Sequence, residues 1–207
     1  GQRQDTLSFF TSDNGPSRES RNWLDGTQDP YYGGSAGGLK GHKFSLYEGG
    51  IRMPAVCHWP ERIAGGQILE APCASMDVFP TALAAAGVSS HNYELDGQSL
   101  LPYLTQGESP PRRDLMWEMN QQTAIRRGDW KLVLNGQLVE GAAPQDDIHP
   151  ANLRDDVGEC TNLKDADPHL TQELKEAAES WRASIEERWE SEFTPDAILQ
   201  PRPVTHA

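Results

Sequence analysis

The stretch that most limits what this chain can fold into runs from Pro168 to Glu192. Leu170, Leu174, Ala178, Trp181, Ile185 and Trp189 recur at steps of three and four, with charged residues around them. That spacing predicts one long helix with a single apolar face, with Trp181 and Trp189 as core residues. Asp167 is placed to cap it, and Pro168 suits its first position. Such a helix needs a surface to cover. Leu115-Met-Trp-Glu-Met119, Thr123-Ala-Ile-Arg126 and Trp130-Lys-Leu-Val-Leu134 are strand-like runs with turn signals between them. Asn135-Gly136 is a hairpin signal that predicts a further strand at Gln137-Leu-Val-Glu140. Residues 141–168 read as polar and turn-rich. The expectation is a small antiparallel sheet under the helix, with Arg127-Gly128-Asp129 as a tight turn rather than an adhesion tripeptide.

The front of the chain has another character. Thr6-Leu-Ser-Phe-Phe-Thr-Ser-Asp-Asn-Gly-Pro16 reads as a buried strand over 5–12 that stops on an acid and an amide. Open α/β sheets place ligands at strand ends, and hard cations take oxygen ligands. Taken alone, Asp13-Asn14-Gly15 is an ordinary turn sequence. Residues 15–45 read as a long loop, a length usually tied to function or disorder. Gly38-Leu-Lys-Gly-His-Lys-Phe-Ser-Leu-Tyr-Glu-Gly-Gly50 then sets Lys40 and Lys43 in a glycine-punctuated segment suited to an anionic group. Pro54–Trp59 predicts a second strand and Ser75–Gly87 a helix. Two domains are expected: 1–107, part of a large α/β sheet domain, and 108–207, a compact α+β unit. An exposed link near 105–113 would join them.

The chain of 207 residues has a formal net charge of −13. Residues 1–110 carry 12 acidic and 7 basic side chains (−5), and residues 111–207 carry 19 and 11 (−8). This surface repels nucleic acid and anionic membranes at long range, so no nucleic acid partner is expected. No apolar run approaches the roughly 20 residues that span a bilayer. A polyanionic substrate would need a local positive site, with Lys40, Lys43 and Arg52 the candidates. The 3 cysteines show no C-x-x-C or zinc-like spacing and read as free thiols. There is no N-x-S/T sequon, and the histidines follow no metal-ligand pattern. His42 reads as structural, Tyr47 as packing, and Glu48 with Arg52 as a structural ion pair. Trp23, Tyr31 and Tyr32 could stack on a sugar ring.

Several segments, in order, resemble the sulfatase family of the alkaline phosphatase superfamily. They are Ser12-Asp-Asn-Gly15, Lys43 four residues before Tyr47-Glu-Gly-Gly50, His58-Trp-Pro60 and Ser75-Met-Asp-Val-Phe-Pro-Thr81. Leu95-Asp-Gly-Gln-Ser-Leu-Leu-Pro102, Arg127-Gly-Asp-Trp-Lys-Leu132 and Gly158-Glu-Cys-Thr-Asn-Leu163 continue the series. The resemblance implies the C-terminal part of an alkaline-phosphatase-like α/β sheet domain plus a small α+β subdomain. It implies Asp13 and Asn14 as ligands of Ca²⁺ or Mg²⁺, Lys43 as the catalytic, sulfate-contacting lysine, and Lys40 as a supporting substrate-binding cation.

In that family a hydrated formylglycine attacks the sulfur, expels the alcohol and then releases sulfate. Its Cys/Ser-x-Pro/Ala-x-Arg signature fits none of Cys57, Cys73 and Cys160, and the early aspartate pair is also absent. The resemblance therefore implies a piece of a longer enzyme, inactive alone, whose formylglycine and remaining metal ligands belong to a missing N-terminal half. A sulfate ester, such as a sulfated glycan, is the expected substrate. The alternatives are a phosphate or phosphonate ester hydrolase of the same superfamily, and a non-catalytic module that binds a sulfated ligand or a partner chain.

Overall fold

The computed structural model describes residues 2–18, 34–89 and 94–193. The chain forms two compact units, Gly1–Gly15 with Arg52–Leu115, and Pro16–Ile51 with Met116–Ala207. The lysine-bearing segment therefore groups with the C-terminal part, whereas the expected division ran straight along the sequence. Tyr47 explains this placement, because its ring is fully buried among Leu46, Ala124 and Val133.

In the first unit, β1 (Ser8–Thr11) pairs antiparallel with β2 (Ala55–His58), in the register Phe9↔Cys57 and Phe10↔Val56. The strand is shorter than expected and is not buried: Phe10 is 79% exposed and Val56 60%. Two strands alone cannot cover both of their faces. The expected helix is present as a 3₁₀ turn, Ser75–Asp77, leading into α2 (Val78–Ala85), with Gly87 beyond it at φ +69°. The sequence reading did not include α3 (Leu101–Gln106).

Asp77 organises this unit. Its fully buried carboxylate accepts from Ala74 N at 2.8 Å, Gln98 N at 2.9 Å and Arg113 at 2.6 Å. A Cβ on Gly97 would meet the Met76 carbonyl at 2.0 Å. The Ser75-Met-Asp and Asp-Gly-Gln segments thus meet at one buried charge, and their residue types follow from that contact.

The second unit contains a four-stranded antiparallel sheet ordered β3 (Asp114–Met119), β4 (Gln122–Arg127), β5 (Trp130–Gly136) and β6 (Asp146–Asn152). α4 (Pro168–Glu192) covers one face, with the Asp167 carboxylate accepting from Leu170 N at 3.0 Å as its cap. Ile125, Leu132 and Leu134 pack under Leu174 and Ala178. Their neighbours Ala124 and Val133 point the other way, onto Leu46 and Tyr47. Both faces of β4 and β5 are therefore buried, one by the helix and one by the lysine-bearing segment.

Three details of this unit differ from expectation. Gln137–Glu140 is not a strand, because β5 continues through Asn135-Gly136 and its partner β6 lies within the stretch read as turn-rich. Gly136 serves packing here: a Cβ on it would sit 2.6 Å from the Tyr47 hydroxyl. Trp189 is not core, being 62% exposed and stacked on Phe193 at 5.3 Å. The Arg127-Gly128-Asp129 turn is present, with Arg127 paired to Trp130 and Gly128 at φ +61°.

Candidate functional site

Asp13 and Asn14 follow β1 in the first unit. Asn14 N donates to Asp13 Oδ1 at 3.1 Å, Ser12 Oγ to the Asn14 carbonyl at 2.8 Å, and Asn14 Nδ2 to the Gly15 carbonyl at 2.9 Å. This is a self-bonded Asx turn. It also orients the pair, because committing the amide nitrogen to Gly15 leaves Asn14 Oδ1 as the side chain's acceptor. Asp13 is exposed and Asn14 half-buried. Together they offer one charged and one neutral hard oxygen, which suits Ca²⁺ or Mg²⁺. Calcium takes about 6–8 oxygens, so the pair fits as part of a shell. Among the described residues no group of three or more His, Cys, Asp or Glu side chains could hold a metal.

Lys40 and Lys43 lie in the second unit, in a segment built from backbone contacts. Gly49 N donates to the Lys40 carbonyl at 2.7 Å, His42 N to the Leu138 carbonyl at 3.0 Å, and Lys43 N to the Pro16 carbonyl at 3.0 Å. α1 (Glu48–Ile51) then packs so tightly that a Cβ on Gly49 would lie 2.2 Å from the Gly41 carbonyl, and one on Gly50 2.1 Å from the Ser45 carbonyl. The Tyr-Glu-Gly-Gly sequence is thus a demand for bare backbone.

Lys43 is half-buried, with its Nζ 5.3 Å from the Phe44 ring centroid. Phe44 itself has φ +72°, a left-handed conformation costing a non-glycine residue about 1–2 kcal/mol. Lys40 is engaged in the unit's own interior. Its Nζ sits 4.3 Å over the Tyr47 ring and 3.4 Å from the Glu159 carbonyl. Burial and Arg18 hold the His42 imidazole below its ordinary pKa.

Beside this segment is an ionic node. The fully buried Lys131 ammonium lies 2.8 Å from Glu48 Oε1 and 3.3 Å from Glu159 Oε1, and Arg126 stands 3.8 Å from Glu48 Oε2. Glu48 N also donates to Glu159 Oε2 at 2.5 Å. Burial pushes the Glu159 carboxyl up, against the opposing pull of Lys131. His149, buried and edge-on to Tyr47 at 5.3 Å, bonds Asp146 Oδ2 through Nδ1 at 2.8 Å and approaches the Glu159 carbonyl through Nε2 at 3.0 Å. The His149 contact holds the Asp146 carboxyl below its usual range. The sequence reading assigned His149 no role and did not anticipate the node. A signal was available: Tyr-Glu-Gly-Gly, Trp-Lys-Leu and Gly-Glu-Cys each contribute one member.

The cysteines are free, Cys57 half-buried and Cys73 and Cys160 exposed. Burial raises the Cys57 and Cys73 thiols, which opposes a nucleophilic role at neutral pH. Trp23, Tyr31 and Tyr32 lie outside the described residues. No helix among the described residues is long and apolar enough to cross a membrane.

Comparison with known proteins finds relatives in sequence and in structure. The family model "Sulfatase" matches residues 1–88. Arylsulfatase A of Bos taurus is 32% identical over 193 residues, covering 84% of this chain and 36% of that protein. N-acetylgalactosamine-6-sulfatase of Mus musculus is 35% identical over 132 residues, covering 63% of this chain and 24% of that protein. The chain thus spans about a third or less of the length of these relatives. Among solved structures, Ps i-CgsB in complex with k-i-k-neocarrahexaose superimposes with a TM-score of 0.69 at 24% identity, over 97% of this chain and 44% of that one. The fold is accordingly the mixed α/β arrangement of part of an alkaline-phosphatase-like domain.

Proposed function

The chain belongs to the sulfatase family, and from that premise we propose that it forms part of a longer sulfuric ester hydrolase. Asp13 and Asn14 are two oxygen ligands of a Ca²⁺ or Mg²⁺ ion, and Lys43 is the amine that contacts the sulfate. Lys40 holds the segment that carries Lys43 and adds local positive charge. The observation that carries this reading is the family match over residues 1–88, which takes in all four residues.

The chemistry follows from charge. A sulfate ester expels its alcohol more easily when the negative charge growing on the transferring group meets a fixed cation. A bound divalent cation supplies such a charge. Lys43 supplies another, and its backbone is held from Pro16 and through the Gly49 and Gly50 packing. None of its three cysteines carries the formylglycine signature, so on this reading the nucleophile needed for a covalent intermediate belongs to another part of the longer enzyme. The exposed Phe10 and Val56 are apolar surface that a larger sheet domain would cover. A sulfated sugar is the favoured substrate class, supported by the aminosugar sulfatase among the relatives.

The 207-residue chain should leave 4-nitrophenyl sulfate intact in the presence of calcium. Turnover by the purified chain would refute the proposed dependence on an external nucleophile. In the longer enzyme, relative rates on matched sulfate, phosphate and phosphonate monoesters separate the sulfatase from its superfamily alternative. A preference for either phosphorus ester would overturn the substrate assignment.

A further inference from the structure

We infer that Gln122 is a positioning residue for Lys43, its buried amide clamping the strained Phe44 turn that sets the lysine's place. The inference rests on the reading of Lys43 as the sulfate-contacting amine. The residue after Lys43 is a phenylalanine at φ +72°, a conformation that persists only where surrounding contacts impose it. Backbone bonds close part of the turn, Ser45 N donating to the His42 carbonyl at 2.8 Å and Lys43 N to the Pro16 carbonyl at 3.0 Å, and one side chain grips it at Phe44 and Leu46. Gln122 is fully buried, and its Nε2 donates to the Phe44 carbonyl at 2.8 Å. Its Oε1 accepts from Leu46 N at 3.3 Å and from Gln137 N at 2.9 Å. A single amide thus grips the turn at the residue after Lys43 and again two residues further on.

The base of the clamp is itself fixed. Arg182 of α4 donates to the Gln122 carbonyl at 3.2 Å, to Thr123 Oγ1 at 3.0 Å and to the Asn120 carbonyl at 2.7 Å. Only glutamine serves here. A glutamate could not donate to Phe44, and a methionine of similar shape could do neither job.

The test uses the sulfatase that carries this chain, with kcat/KM on 4-nitrophenyl sulfate expressed per folded enzyme and urea midpoints measured alongside. Gln122→Met should lower kcat/KM about 10–100-fold, the loss expected when a charge-stabilising group shifts by about an ångström. Gln122→Glu keeps an acceptor for Leu46 and Gln137 but turns a buried, charged oxygen onto the Phe44 carbonyl, and should fall in the same direction. Phe44→Asn accepts the left-handed conformation more readily, so in that background Gln122→Met should cost no more than about threefold.

Wild-type kcat/KM in both Gln122 variants, with a lowered urea midpoint, makes Gln122 merely structural and overturns the inference. An equal loss from Gln122→Met with and without Phe44→Asn also overturns it, because the effect would not run through the turn. Lys43→Ala at wild-type kcat/KM removes the Lys43 reading and this inference with it. Lys43→Ala crippled beside an intact Gln122→Met confines the failure to the clamp.

Discussion

Lys131 is the residue on which the second unit's interior depends. A fully buried ammonium is tolerable only because Glu48 and Glu159 lie within 3.3 Å. Removing the cation leaves two carboxylates facing each other without water. Lys131→Met should therefore destabilise the chain by about 3–5 kcal/mol, read from urea unfolding, and a change below about 1 kcal/mol would contradict the node's importance. Glu159 adds a pH dependence. Burial raises its pKa above the ordinary 4.5, so the folded state holds this proton more tightly than the unfolded chain does. Its contribution to stability is complete below that ordinary value and is lost as pH rises through the raised one. Glu159→Gln cannot titrate, so its urea midpoint should improve relative to wild type as pH climbs from about 4 to about 8. A pH-independent difference would show that Glu159 titrates normally.

Among the elements, short glycine-bearing segments are held by space in one place and by conformation in another. Gly49 has φ in the ordinary range, yet an added Cβ would strike two backbone carbonyls, at 2.2 and 2.6 Å. Gly128 has open space around it but sits at φ +61°. Gly49→Ala should cost about 3 kcal/mol or more through overpacking, and Gly128→Ala about 1–2 kcal/mol through conformation alone. Thermal unfolding of the two variants checks the ranking, and a reversed order would sink it.

Legibility followed the same physics. β3, β4 and β5 were readable as short strand-like runs set off by turn signals, and α4 because its apolar residues recur at steps of three and four. β6 was not, because Asp146-Asp-Ile-His-Pro-Ala-Asn152 carries charge and a proline, which an edge strand tolerates. Asn135-Gly136 pointed to a hairpin, whereas Gly136 is required by the Tyr47 ring. Asp13, Asn14, Lys40 and Lys43 were legible only as motif positions. Glu48 reaches Lys131 and Glu159 across 83 and 111 residues of sequence, and Gln122 reaches Leu46 across 76, distances that no local periodicity spans.

For the molecule as a whole, the net charge of −13 sets the terms on which any sulfated polymer approaches. Repulsion reaches about 30 Å at 0.01 M salt and about 8 Å at 0.15 M. Adding salt across that range should therefore leave binding of a heparin-like polymer to the chain unchanged or stronger, as measured by calorimetry. A steep weakening with salt would mean that a basic surface, not the local lysine segment, dominates association.

The covering helix is longer than the sheet beneath it. Its 25 residues rise about 37 Å at 1.5 Å each, while a seven-residue strand such as β5 extends only about 23 Å. The first turns rest on Ile125, Leu132 and Leu134, Arg182 ties the helix to Asn120, Gln122 and Thr123, and the turns beyond it are mostly exposed. There the pairs Arg182–Glu186 and Arg188–Glu192 do the holding, each worth a few tenths of a kcal/mol. Heating should unwind this helix from its far end inward, and raised ionic strength should hasten the fraying while the anchored half stays wound.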